Sequence, residues 1–128
     1  MFSSQKSFLI VDDSYIDRLV SGMLVKRTFN IHDVHEAVGG NEALEFLKTH
    51  PIPGKLIILL DIMMPRMNGF EFLEHFEKLD ETTRTKIDIV ILSSTFDDSD
   101  IRRGNAHPAV KKMLSKPLSA NELRELML

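Results

Sequence analysis

Leu56-Ile57-Ile58-Leu59-Leu60-Asp61 is the stretch on which the fold turns: five aliphatic residues in succession end in a carboxylate, and Ile62-Met63-Met64-Pro65 follows. An unbroken apolar run of this length fits a strand buried on both faces, the pattern of a parallel sheet covered by helices. The carboxylate then stands at the C-terminal end of a strand, where open α/β sheets build their sites. Three other runs end in the same manner. Phe8-Leu9-Ile10-Val11 leads into Asp12-Asp13, Ile89-Val90-Ile91-Leu92 into Ser93-Ser94-Thr95, and Met113-Leu114-Ser115 into Lys116-Pro117. Carboxylates, a hydroxyl and an amine are therefore expected to converge along one edge of the sheet.

Helical patterns alternate with these runs, which predicts an α/β fold of five βα rounds with a five-stranded parallel sheet and helices on both faces. Ile16, Leu19, Val20, Met23 and Leu24 follow helical spacing and give the first helix one clean apolar face. Ala43, Leu44 and Leu47 mark a second helix, and Phe70, Leu73 and Phe76 a third that Gly69 opens. Asp97, Asp98 and Asp100 suggest an acidic cap on a fourth helix starting near Ser99 and ended by Pro108. Ser119-Ala120-Asn121-Glu122 is a capping-box pattern for the last helix, with Leu123, Leu126 and Met127 expected to face inward. No repeat, linker or second domain is evident, so residues 1–128 read as a single domain.

Composition narrows the possibilities. The absence of cysteine removes disulfides, thiolate metal sites and thiol nucleophiles. No apolar stretch is long enough to insert into a membrane, and the opening Met1-Phe2-Ser3-Ser4-Gln5-Lys6-Ser7 has no signal-peptide apolar region, so a cytoplasmic protein is expected. A net charge of −3 gives no reason to expect direct nucleic-acid binding. From Ile101 onward, however, six Lys and Arg face only two Asp and Glu. The five histidines, His32, His35, His50, His75 and His107, form no metal set and read as surface residues.

Taken singly, Asp12-Asp13 reads as a helix cap, and Lys116-Pro117 as a surface turn. Together and in register, Asp12-Asp13, Asp61 with the Met63-Met64-Pro65-Arg66-Met67-Asn68-Gly69 stretch, Ser93 and Lys116-Pro117 resemble the receiver domain of bacterial two-component response regulators, in a single-domain form similar to chemotaxis regulators. The resemblance covers nearly the whole chain. It implies a flavodoxin-like, doubly wound (βα)5 fold and a signalling switch that catalyses its own phosphorylation and dephosphorylation. Asp61 would be the phosphoacceptor, with Mg²⁺ as cofactor. The metal ligands it implies are Asp13, Asp61, the backbone carbonyl of Met63, and Asp12 through water. Lys116 and Ser93 would contact the phosphoryl group, and the Lys116-Pro117 bond would be cis. The implied partners are a sensor histidine kinase or histidine phosphotransfer protein as donor and an effector protein downstream, the chain itself being a monomer or a weak phosphorylation-dependent dimer. With three acids crowded together, at least one is expected to have a raised pKa.

Two other readings compete. A phosphatase of the dehalogenase-like kind needs a second acid two residues beyond the nucleophile, where this chain has Met63. A degenerate receiver acting as a phosphorylation-independent binding module would not be expected to keep Asp12, Asp13, Asp61 and Lys116. The chain departs from the common receiver pattern at Met113, where receivers usually carry the Tyr or Phe that swings inward on phosphorylation, and at Leu118, where Lys-Pro-Phe is common. On the output face that receivers usually employ, Arg102, Arg103, Lys111, Lys112 and Arg124 are candidates for docking an acidic partner.

Met63 and Thr95 occupy the two places where fast-hydrolysing receivers tend to carry amide or acidic groups able to orient an attacking water. Slow self-dephosphorylation is the expected consequence. Met63→Asn should hydrolyse faster at unchanged metal affinity, which phosphate release from purified phosphoprotein would measure.

Overall fold

The computed structural model describes residues 6–126. Five strands, β1 (Lys6–Val11), β2 (Val34–Ala37), β3 (Lys55–Asp61), β4 (Ile87–Ser93) and β5 (Val110–Ser115), form one parallel sheet in the order β2-β1-β3-β4-β5. Among the described residues six helices connect or follow them: α1 (Tyr15–Phe29), α2 (Gly40–Thr49), α3 (Gly69–Phe76), α4 (Glu81–Arg84), α5 (Asp98–Ala106) and α6 (Ala120–Glu125). The expected five-stranded, doubly wound architecture is present. Unforeseen is the single-turn α4, which Asp80 caps by accepting a hydrogen bond from the Thr83 N–H.

Alternate residues of each strand enter two separate cores, as the two-residue period of a strand requires. Leu9, Val11, Leu56, Ile58, Leu60, Ile89 and Ile91 pack with α2 and α3 on one face. Phe8, Ile10, Ile57, Leu59, Val90, Leu92 and Leu114 pack with Val25 of α1 and Leu123 of α6 on the other. This two-sided burial is why the strands read as continuous apolar runs rather than as alternating ones.

The first helix departs from expectation. Its spacing does define a face, but Ile16, Leu19, Val20 and Met23 are exposed, and the side turned to the sheet buries Gly22 and Val25. Periodicity identifies residues that share a face without saying which of two apolar faces meets the sheet. The fourth predicted helix, α5, starts at Asp98, with Asp97 and Asp100 closing a capping box. In α6 the Ser119–Glu122 box is formed, Leu123 is buried and Leu126 packs on the core, while Met127 lies outside the described residues.

Two glycines fix how helices approach the strands. A Cβ on Gly69 would lie 2.9 Å from Ile62 Cα and 3.2 Å from the Asp61 carbonyl oxygen, so only glycine lets α3 begin against the end of β3. On Gly104 of α5 a Cβ would overlap the Met113 thioether, which explains how methionine fills that position of β5. Gly69→Ala is therefore expected to lose about 1–3 kcal/mol in urea denaturation, because the obstructing atoms are backbone. Gly104→Ala should lose less, since a thioether can turn away.

Candidate functional site

The sheet order places the topological switch between β1 and β3, which pair with each other while their chains lead to opposite sides. Val11 pairs with Leu60, so Asp12 and Asp61 emerge side by side at that crevice. Ser93 pairs with Ser115 at the neighbouring edge, and the Lys116 N–H donates to the Ser93 carbonyl at 2.9 Å. Register alone thus assembles the residues expected to converge.

Asp12 and Asp61 are buried, whereas Asp13 is exposed. Asp12 Oδ1 accepts from the Ser14 N–H at 2.9 Å, and Asp61 Oδ1 from the Met63 N–H at 3.1 Å. The Lys116 ammonium stands among the acids, 2.8 Å from Asp12 Oδ2, 2.9 Å from Asp17 Oδ2 and 3.5 Å from Asp61 Oδ2. Its bond to Pro117 is cis. Ser93 is fully buried, and its hydroxyl donates to the Thr95 carbonyl at 2.6 Å.

The loop after Asp61 is tightly turned. Arg66 adopts a left-handed φ of 69°, and the Met67 N–H donates to the Pro65 carbonyl at 2.7 Å, closing a three-residue turn. Asn68 then opens α3 with a capping box to Glu71. Met63 is 68% exposed and lies on the rim of the site. Its lack of a polar group, rather than its volume, distinguishes it there.

Asp61 is pushed up from 3.8 to about 6. Burial is the main cause, with repulsion from Asp12 and then Asp13 adding to it, while the Met63 N–H and Lys116 oppose the rise. Crowding of acids therefore contributes less than removal from water. For Lys116, burial favours the neutral amine, but hydrogen bonds to Asp12 and Asp17 and the charge of Asp61 outweigh it and hold the ammonium protonated.

Oxygens of Asp12, Asp13 and Asp61 lie within 4.8 Å of one another. A cluster of hard oxygen donors fits Mg²⁺, which takes one or two carboxylates and keeps several waters. Sequence reasoning missed two residues that support this cluster. Asp17 holds Lys116, and Arg18 donates to the Asp12 carbonyl at 2.8 Å while pairing with Glu36 at 3.0 Å. Their signal was positional: both lie in the first turn of the helix that follows Asp13.

Arg103, a candidate for docking an acidic partner, is exposed and lies over the Phe70 ring at 4.1 Å. One expectation needs correction. His107 is not a surface residue; its side chain is only 11% exposed, with Nε2 2.7 Å from Glu77.

A buried aspartate at the switch point of a doubly wound parallel sheet, flanked by two acids and a lysine, places the site among those of open α/β domains. Residues 8–128 match the response regulator receiver domain, and the chain belongs to that family. A solved response regulator receiver protein from Dyadobacter fermentans is 35% identical, with a TM-score of 0.87, over 96% of this chain and 95% of that one. A two-component response regulator from rice, Oryza sativa subsp. japonica, is 35% identical over 92% of this chain and 83% of its own length. A protein-glutamate methylesterase/protein-glutamine glutaminase from Treponema pallidum is 39% identical over 67% of this chain, and the match spans only 20% of that relative. Phosphorylation at an aspartate with Mg²⁺ is the general function of the family.

Because the folded-state pKa of Asp61 is raised, the folded protein keeps a proton that the unfolded chain has released between pH 3.8 and about 6. The contribution of Asp61 to metal-free stability should thus be greatest below that window and fall as pH rises through it, by up to about 3 kcal/mol. Asp61→Asn, with no charge to bury, should match wild type near pH 4 and exceed it at pH 7, as denaturation in chelator would measure.

Proposed function

We propose that residues 1–128 form a single receiver domain that takes a phosphoryl group onto Asp61 from the phosphohistidine of a sensor histidine kinase or histidine phosphotransfer protein, in a bacterial cytoplasm. The observation that carries this reading is the buried Asp61 carboxylate with Lys116 at 3.5 Å and the oxygens of Asp12 and Asp13 beside it. In the transfer, an Asp61 oxygen forms the new P–O bond as the N–P bond to the donor imidazole breaks, and the imidazole nitrogen keeps the electron pair. Asp13, Asp61 and the Met63 carbonyl would hold Mg²⁺ directly and Asp12 through water; when bound, it offsets negative charge on the phosphoryl oxygens.

The remaining work falls to the chain. Lys116 supplies a second positive charge, 3.5 Å from Asp61, that can be drawn onto a phosphoryl oxygen as charge develops. The Ser93 hydroxyl has one proton. Donating it to a phosphoryl oxygen means releasing the Thr95 carbonyl, which frees the loop leading into α5. Such a change is a shift between states driven by the differential affinity of the phosphoryl group for one of them. It would pass to an effector through α5, where Met113 against Gly104 takes the place of the usual aromatic.

For the donor protein, the exposed stripe of Ile16, Leu19, Val20 and Met23 offers an apolar face on the helix that follows Asp13. It adjoins a cavity of about 240 Å³ between α1 and Lys116-Pro117-Leu118. The protein acts as a switch rather than as an enzyme on an external substrate, and its dephosphorylation is slow. Incubation with acetyl phosphate and Mg²⁺ should add one phosphoryl group by intact mass, and Asp61→Asn should add none. Full binding to a partner without any such gain would instead favour the phosphorylation-independent module.

A further inference from the structure

Asp17 is a fourth acid at the site, and nothing in the phosphoacceptor reading uses it. Its carboxylate accepts from the Lys116 ammonium at 2.9 Å, as short as a charge-assisted bond should be, whereas Asp61 lies at 3.5 Å. The ammonium therefore leans toward Asp12 and Asp17, and its contact with Asp61 is the loosest of the three. Asp17 sits in the first turn of α1, with its own N–H donated to Ser14, so its backbone is held by the helix cap. Its side chain is 44% exposed and lines the cavity beside Lys116 and Pro117.

On the reading of Asp61 as phosphoacceptor, on which this depends, we propose that Asp17 is a positioning residue that holds Lys116 in the resting state and competes with the phosphoryl group for it. An ammonium has three protons on a flexible stem. In the resting protein two are committed to Asp12 and Asp17. To meet a phosphoryl oxygen on Asp61, Lys116 must move toward β3, which stretches or breaks its bond to a carboxylate anchored on α1. Asp17 thus stabilises the resting arrangement and slows entry into the phosphorylated one. Acidic residues are favourable in the first turn of any helix, and that role alone would involve no coupling to Lys116.

Two measurements test this. In metal-free urea unfolding, a double-mutant cycle of Asp17→Asn and Lys116→Met should show that the two residues are coupled; strict additivity would overturn the proposal. With acetyl phosphate and saturating Mg²⁺, Asp17→Asn should gain mass about two- to fivefold faster than wild type, the range expected for a partly exposed ion pair. Asp17→Glu should return toward the wild-type rate. In a Lys116→Met background, adding Asp17→Asn should leave the rate unchanged; equal acceleration there would mean simple charge repulsion of the donor and would overturn the holding role. An unchanged or slower Asp17→Asn, with wild type phosphorylated normally, would remove the role of Asp17 alone. Failure of wild type to gain the phosphoryl group would remove the phosphoacceptor reading and this proposal together.

Discussion

The site depends on one half-buried cation. Lys116 brings its ammonium into a cluster of Asp12, Asp17 and Asp61, of which Asp12 and Asp61 are themselves removed from water. Without it, two carboxylates at adjacent strand ends would be buried with no internal countercharge, and burial of unpaired charge is among the costliest features a fold can carry. With it, Asp12 is satisfied by a short ionic bond, but Asp61 is only partly compensated and its pKa stays at about 6. An acid left unsatisfied in this way is suited to gain a new partner.

Such partial satisfaction is possible because the surrounding structure is rigid. Two cores clamp the sheet from both sides, and the strands that carry Asp12, Asp61, Ser93 and Lys116 are neighbours in the order β1-β3-β4-β5. The loop beyond Asp61 is fixed by the left-handed Arg66, the Asn68 cap and the close approach of Gly69. The segment after Ser93 is tied instead by a local hydrogen bond from the Ser93 hydroxyl to the Thr95 carbonyl.

The two sides of the molecule treat apolar residues differently. On α2 and α3 they are buried, as a helix covering a sheet requires. On α1 the regular stripe faces solvent beside the acids, while Val25 and Gly22 meet the sheet. Surface apolar residues scattered singly need no explanation, but an ordered row next to a cluster of acids has the form of a contact surface.

The strands and the convergence of Asp12, Asp61, Ser93 and Lys116 were legible in the chain, because parallel strands buried on both faces leave uninterrupted aliphatic runs and place their last residues at a common edge. Helix caps such as Ser119 with Glu122 and Asp97 with Asp100 were legible for a similar reason: they are interactions within four residues. The orientation of α1 was not, since spacing gives the angle between side chains but not the direction of the sheet. Nor were Asp17 on Lys116, Arg103 on Phe70 and Met113 under Gly104, each of which joins distant segments and arises only once helices are packed. Local sequence determined which groups reach the site; tertiary packing decided which of them hold one another, because ionic and steric contacts depend on distances that no single segment sets.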